Sequence, residues 1–196
     1  MISTRNTCRT GWGAAGSFAL FLLAAVLAEP LLYPAPVQAA TAAELRRDGS
    51  AALNKLYAST PKAKELAARA KAILVFPSIV KGGFLVGGLF GEGVLLKDGK
   101  AVAYYDTVAA SYGYQAGAQR YGYAMFFMND GALQYLDRSD GWELGTGPSI
   151  VVLDQGAAGG LSTSTARDDI YAFIFSQKGL MAGVGLQGSK ITKIQK

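Results

Sequence analysis

The sequence contains no histidine, and its one cysteine, Cys8, lies within the first forty residues. These two absences leave the rest of the chain without a disulfide, a thiol nucleophile, a Cys/His zinc site or a histidine general base. Charged residues are also few, at 17%, whereas 51% of the 196 residues are hydrophobic, which is enough for one domain with a sizeable core. We therefore expect a non-enzymatic protein that has no metal and no cofactor.

The first 39 residues have the features of a secretory signal peptide. Two arginines precede an uncharged stretch, residues 11–28, and a small-residue cleavage site, V-Q-A, ends at Ala39. We predict cleavage before Ala40 and a periplasmic or cell-envelope location for the single domain that follows, residues 40–196. The cleavage site lies well beyond the apolar stretch, so an uncleaved membrane anchor is the alternative.

Basic residues are concentrated just after this segment. Residues 41–71 carry seven basic and three acidic side chains, whereas residues 72–196 carry ten of each. A localised basic surface favours an anionic partner, either a membrane or a nucleic acid. For an exported protein we expect a membrane and no nucleic acid. The seven basic residues are Arg46, Arg47, Lys55, Lys62, Lys64, Arg69 and Lys71.

Two helices are predicted in this basic region. Thr41 and Glu44 have the spacing of a capping box, which indicates a helix over residues 41–59. Gly49-Ser50 weakens its middle and favours either a kink or two short helices there. Pro61 is suited to the first position of a second helix.

A glycine-rich stretch, residues 70–96, follows the helices. Its β-branched and aromatic start predicts a short buried strand that ends at Pro77. After the turn, alternate residues form one nearly bare face that includes Gly87 and Gly91. We expect a helix, a second backbone or an acyl chain to approach this face closely, so it is either a packed layer or the floor of a groove. The opposite, bulky face, predicted to be core, carries Phe84, Val86, Phe90, Val94 and Leu96.

The remaining sequence predicts further short strands. Asp98-Gly99 marks a hairpin turn, and Asn129 or Asp130 caps a short helix over residues 131–138. The fold class is therefore α+β, with N-terminal helices packed on a curved, mostly antiparallel, glycine-rich β-sheet or barrel-like sandwich of about eight short strands. The later strands are predicted over residues 108–115, 121–128, 149–153, 170–176 and 180–186.

Three separated motifs resemble the SYLF family, a lipid-binding domain that in fungi and animals is also tied to actin and membrane traffic. The first is A-K-A-I-L-V-F-P-S-I-V-K-G-G-F, residues 70–84, followed by G-E-G-V-L-L, residues 91–96. The second is G-Y-Q-A-G, residues 113–117, and the third is the C-terminal block that ends in G-S-K-I, residues 173–191. Together these motifs extend the resemblance over about residues 42–194.

The resemblance implies a module that recognises anionic phospholipid through its basic leading helices and glycine-rich sheet. Because the chain carries an export signal, phosphatidylglycerol or cardiolipin is expected in place of a phosphoinositide, and actin is not expected as a partner. The sequence indicates no oligomeric state. The candidate lipid-binding residues are Arg46, Arg47 and Lys55, which match the family's basic helix, together with Lys62, Lys64, Lys81, Gly87 and Gly91.

Two other functions remain open at this point. About eight alternating strands in an exported chain would also suit a small outer-membrane β-barrel. The third hypothesis is a hydrolase that uses carboxylates for catalysis. Its most notable candidate residue is Glu92, the one charge within the glycine-rich strand. The simpler prediction for Glu92 is an ion pair with a basic residue or a position where the strand meets solvent.

Overall fold

The computed structural model describes residues 39–138, 141–154, 167–179 and 189–196, without the side chains of residues 84–86 and 111–116. Most of the predicted signal peptide and the predicted strand over residues 180–186 therefore lie outside the described residues. The described elements are α1 (Ala42–Ser59), α2 (Pro61–Ala67), β1 (Ala72–Lys97), β2 (Lys100–Phe127), α3 (Asp130–Gln134) with a 3₁₀ turn (Tyr135–Asp137), β3 (Trp142–Glu143), β4 (Ile150–Leu153), β5 (Ile170–Gly179) and β6 (Lys190–Ile194).

The capping box of α1 is confirmed. The Thr41 hydroxyl accepts a hydrogen bond from the Glu44 amide at 3.3 Å, and the Glu44 carboxylate accepts one from the Thr41 amide at 2.8 Å. The alternative of two short helices is wrong, because α1 is one continuous helix. A Cβ on Gly49 would lie 2.5 Å from Cγ1 of Val94, so the glycine lets α1 lie close to β1. The second helix begins at Pro61, as predicted.

The prediction that the first strand ends at Pro77 is wrong, because β1 continues past this residue. It pairs antiparallel with β2 from Ala72 to Lys97, and the ladder skips Pro77 and Ser78 in a bulge between Phe76 and Ile79. Proline has no N–H to donate to a ladder, but at a bulge no donor is needed. A proline that was expected to end the strand therefore bends it.

The hairpin turn at Asp98-Gly99 is confirmed, with φ values of 50° and 74°, the positive values that a two-residue type I′ turn requires. Strand β2 then continues without a break to Phe127 and includes the two strands predicted over residues 108–115 and 121–128. The predicted short strand segments are in this way joined into six continuous strands among the described residues. The α+β class and the mostly antiparallel sheet are confirmed.

The second edge of β2 is shared by two strands. Residues 119–127 pair with β5, and residues 104–108 pair with β6, both antiparallel. Strand β4 extends the sheet parallel to β5, and β3 adds to β6. Neither β3 nor β6 was predicted from the sequence.

Both faces of the curled sheet are buried over most of its area. The outer face lies under the two helices, whose Leu53, Leu56 and Leu66 pack against it. The inner face forms a second core with no helix from the N-terminal region. The largest inner-face side chains are Phe76, Tyr105, Tyr121, Tyr123, Phe127 and Trp142, and those of the outer face are Phe126, Tyr171, Phe173 and Phe175.

The bare glycine face of β1 packs against the first half of the same strand. A Cβ on Gly91 would lie 2.8 Å from Cγ1 of Ile79, and one on Gly93 would lie 2.8 Å from the carbonyl oxygen of Val75. A second backbone therefore approaches Gly91 and Gly93, which is one of the three predicted alternatives, and the prediction for Gly87 stays a prediction. The opposite face is only partly core, because Val94 is fully buried but Phe90 is 51% exposed.

One carboxylate, Asp169, joins three elements at the end of the sheet. It accepts hydrogen bonds from the Asn129 amide group at 2.7 Å and from the backbone N–H and hydroxyl of Ser149 at 2.9 and 3.0 Å. Asn129 in turn caps α3, as predicted, by accepting from the Ala132 amide at 2.8 Å. The bonds from Ser149, and then that from Asn129, hold the pKa of Asp169 below its ordinary value of 3.8.

These bonds predict a pH-dependent contribution to stability. Because the folded pKa of Asp169 is depressed, its contribution is present above the unfolded pKa of about 3.9 and is lost as the pH falls through the lower folded value. Asp169→Asn should lower the urea midpoint at pH 6, and its difference from wild type should shrink between about pH 4 and 2. Asp98→Asn, in the exposed hairpin turn, is the control, and a difference that persists unchanged at low pH would contradict the assignment.

Candidate functional site

The three basic residues predicted to contact lipid from α1 do not form one patch. Arg46 and Lys55 are nine residues apart, which at 100° per residue places them on opposite flanks of the helix. Arg47 points away from the sheet and pairs with its neighbour Asp48 at 2.9 Å. A flat surface that meets α1 can therefore engage one flank at a time, and the neighbours of each flank decide which one is the better site.

The other predicted residues are dispersed. On α2, Lys62 lies 3.5 Å from Glu65 in an exposed ion pair, and Lys64 is exposed in the last turn. Lys81 and Gly87 are partly buried in β1, whereas Gly91 is buried against Ile79. The structure thus places Lys62 and Lys64 at the surface but keeps Gly91 away from any ligand that approaches from outside.

A groove of about 280 Å³ lies on the Lys55 flank of α1. The helix contributes Asp48 and Lys55 to its lining, the β1 bulge contributes Ser78, and β5 contributes Phe175 and Ser176. The groove lies beside the β1 bulge, since Pro77 is also part of its lining. It combines one ammonium group, two hydroxyls, an aromatic side chain and the carboxylate of Asp48, which is paired with Arg47.

The backbone at Ser176 is strained. Its φ of 53° lies in the left-handed region, where residues other than glycine are uncommon, and such strain is concentrated at functional sites. At this position the ladder between β2 and β5 shifts its register between Arg120 and Gly122. The strained residue therefore marks a second bulge beside the groove.

A row of side chains continues the groove along the sheet. Val80, Arg120 and Lys178 are direct cross-strand partners on β1, β2 and β5, so their side chains share one face. Val80 is 45% exposed, and the two basic residues are exposed as well. Because Ser78 and Ser176 each precede a member of this row by two residues, the row lies next to the groove along both strands.

The pairing of Arg120 with Lys178 places like charges directly opposite each other, an arrangement that destabilises a sheet. Neither side chain has an ion-pair partner among the residues that the structure describes. We call Lys55, Arg120 and Lys178, with the groove between α1 and the two bulges, the basic rim. Sequence reasoning missed Arg120 and Lys178, because only the pairing of β2 with β5 brings them together.

Glu92 forms an ion pair, as predicted. Its carboxylate lies 2.7 Å from the ammonium group of Lys196, and the two side chains are only 13% and 11% exposed. The same carboxylate accepts a hydrogen bond from the backbone N–H of Ala40 at 3.0 Å. Glu92 thus has structural partners on both sides, and its surroundings do not resemble those of a catalytic carboxylate.

Two further features concern membranes and metals. None of the helices in the described part of the chain has the length and apolar composition needed to cross a bilayer. The described residues also contain no group of three or more acidic, histidine or cysteine side chains placed to hold a metal ion.

Comparison with known proteins gives one family match, which covers the C-terminal part of the chain. No curated protein matches the chain. Residues 108–196 match the model of a family described as "Ysc84: Las17-binding protein actin regulator", the family of the SYLF domain. The matched range begins within β2 and includes β3 to β6, and it contains both Arg120 and Lys178. Over these residues the chain is similar to the SYLF family, in agreement with the resemblance of its motifs.

Proposed function

We propose that the protein is a non-enzymatic module that binds anionic phospholipid at a membrane surface through the basic rim. The observation that carries this proposal is the cross-strand pair Arg120 and Lys178, two like charges with no acidic partner among the described residues. The repulsion between them is relieved when an anion binds, because a phosphate group accepts hydrogen bonds from both side chains. Lys55 supplies a third positive charge on the helix side of the groove.

The size and lining of the groove favour a headgroup over a whole lipid. A volume of about 280 Å³ is at the small end of the range for small-molecule sites. Ser78 and Ser176 can donate hydrogen bonds to phosphate oxygens, and Phe175 supplies an apolar wall. Val80, exposed beside Arg120, can contact the glycerol and upper acyl region of a lipid whose phosphate lies on the rim.

We also propose that the protein is exported and processed. The signal-like features of residues 1–39 support a periplasmic or cell-envelope location with cleavage before Ala40. The expected lipid is then phosphatidylglycerol or cardiolipin, the anionic lipids of bacterial envelopes. The actin role in the family's description belongs to other members, and we do not propose actin as a partner of an exported chain.

Reversing the two strand charges should weaken vesicle binding strongly. Each basic residue near an anionic surface contributes about 1 kcal/mol, so Arg120→Glu with Lys178→Glu should reduce partitioning onto phosphatidylglycerol vesicles by roughly 30-fold or more. The assay is co-sedimentation with vesicles of phosphatidylglycerol and phosphatidylethanolamine at low salt. Binding should also fall as salt is raised.

The chain offers a matched control for this experiment. Lys97 and Lys100 are also exposed, like-charged and directly paired across a ladder, but they lie at the hairpin turn. Reversing both changes the net charge equally and should have a much smaller effect. Equal losses for the two pairs would show attraction by net charge alone and would contradict the site. The same assay compares the triple reversal of Arg46, Arg47 and Lys55. The excess of basic residues over residues 41–71 predicts that the leading helices dominate the attraction to vesicles, and this comparison tests that prediction.

A further inference from the structure

Ala40, Glu92 and Lys196 form a closed set of contacts at the start of α1. Glu92 accepts a hydrogen bond from the Ala40 N–H at 3.0 Å and pairs with Lys196 at 2.7 Å. The Lys196 ammonium group also donates to the Ala40 carbonyl oxygen at 2.8 Å. The residue that the proposed processing would make the N-terminus is thus already in contact with a nearly buried carboxylate.

The charges of this cluster do not balance. Asp106 of β2 is the cross-strand partner of Glu92, so two carboxylates face one ammonium group. The Asp106 Oδ1 atom is buried and has no hydrogen-bond partner among the described residues. Burial first, and then the nearby Glu92 charge, raises the pKa of Asp106 above its ordinary value. One more positive charge is needed for neutrality.

We propose that this cluster is a receptor for the α-ammonium group that processing creates at Ala40. Hydrolysis of the Ala39–Ala40 bond by a signal peptidase consumes one water and leaves a carboxylate on Ala39 and an amine on Ala40. The amine takes up a proton and is an ammonium group at neutral pH. Its nitrogen is already within hydrogen-bond distance of Glu92, so an amide hydrogen bond becomes an ion pair.

The new charge gives the cluster two carboxylates and two ammonium groups. A charge-assisted hydrogen bond is about twice as strong as a neutral one, and the low exposure of Glu92 and Lys196 limits screening by solvent. The pair also offsets an unfavourable contact, because a positive charge just before α1 opposes the helix dipole. The inference rests on the proposed cleavage and does not depend on lipid binding.

The test compares the full chain before and after cleavage by signal peptidase. Cleavage should raise the melting temperature of the wild-type protein by roughly 2 to 4 °C. In Glu92→Gln the rise should disappear, and in Lys196→Met it should be larger, because Glu92 then has no other cation. Asp137→Asn, which breaks the exposed Lys193 ion pair of 2.8 Å, is the control and should keep the wild-type rise.

A second readout follows the new amine itself. Reductive methylation with labelled formaldehyde at several pH values gives the pKa of the Ala40 amine, which should exceed the ordinary value of about 7.7–8.0. The charged groups in contact with Ala40 are Glu92 of β1 and Lys196 after β6. Asp106 of β2 lies opposite Glu92, and Glu44 of α1 is engaged with Thr41. In Glu92→Gln the pKa should return to the ordinary range.

The possible outcomes separate the two proposals. Protein from an exporting host whose intact mass still includes residues 1–39 would overturn both the processing and the receptor, whatever the result with vesicles. A cleaved chain whose amine titrates identically in wild type and Glu92→Gln would overturn the receptor alone. Loss of the melting-temperature rise in Glu92→Gln, together with the lowered amine pKa, would establish it.

Discussion

Gly93→Ala is expected to destabilise the protein by about 1 to 3 kcal/mol, because the added methyl group overpacks the inner core. Its Cβ would lie 2.7 Å from Cδ1 of Phe76 and 2.8 Å from the carbonyl oxygen of Val75. The ring could turn, but the carbonyl belongs to the backbone of β1 and cannot move without disturbing its ladder with β2. Urea unfolding of the purified variant measures the change in the free energy of unfolding.

Gly88→Ala is the matched control, because Gly88 lies in the same strand but is exposed. The nearest atom to its added Cβ would be the Ala109 carbonyl oxygen at 3.9 Å, an ordinary contact. This substitution should change the free energy of unfolding by less than about 0.5 kcal/mol. If the two variants changed the free energy of unfolding equally, the close approach of the two halves of β1 would not explain the glycine at position 93.

Leu56→Ala is expected to destabilise the protein by about 2 to 5 kcal/mol. Leu56 is only 1% exposed and packs in the outer core beneath α1, so its truncation leaves a cavity between helix and sheet. The helix is thus part of the folded core. Because the substitution leaves the basic rim unchanged, the folded variant should bind vesicles as wild type does. Chemical unfolding followed by circular dichroism gives the stability, and co-sedimentation gives the binding.

Asn54→Ala, on the exposed side of the same helix, is the control for Leu56→Ala and should lie within about 0.5 kcal/mol of wild type. A loss below 1 kcal/mol in Leu56→Ala would mean that α1 separates from the sheet at little cost. The helix would then be free to bind a membrane with its apolar face, and the basic rim would not be its mode of contact.

The local features of this fold could be predicted because short-range chemistry determines them. The capping box of Thr41 and Glu44, the helix start at Pro61, the type I′ turn at Gly99 and the cap at Asn129 each depend on residues a few positions apart. The α+β class followed from helical patterning at the front and alternation afterwards. The ion pair of Glu92 was predicted from the cost of burying a lone charge.

The strand lengths and the bulges could not be predicted in the same way. Pro77 predicted a strand end, because its missing N–H excludes it from a regular ladder. In the structure it lies in a bulge, where that donor is not needed. The bulges also shift which residues face inward: Leu74 and Phe76 face the inner core before the bulge, and Ile79 does so after it.

Phe90 is a different case: it shares a face with Val94 and no bulge lies between them, but only Val94 is buried, against Gly49 of α1. Alternation gives the face of a strand but not how far a helix covers that face.

The basic helix residues were found by counting charges, whereas the basic rim needed the sheet. Arg120 and Lys178 are far apart in the sequence, and each looks like an ordinary solvated charge in its own segment. Their register is set by the β2–β5 pairing and by the bulge at Ser176. Charge composition thus indicated an anionic partner, but the tertiary fold decides which charges meet it.

The shared second edge of β2 has a consequence for biosynthesis. The β1–β2 hairpin can grow outward from its two-residue turn, whereas the strands that pair with its other edge come from 43 to 90 residues further along the chain. While those strands are still missing, the nascent hairpin exposes a long row of unpaired N–H and C=O groups beside hydrophobic side chains, a template for aggregation. This edge is therefore open to pairing with other chains until β5 and β6 have been synthesised and have paired with it.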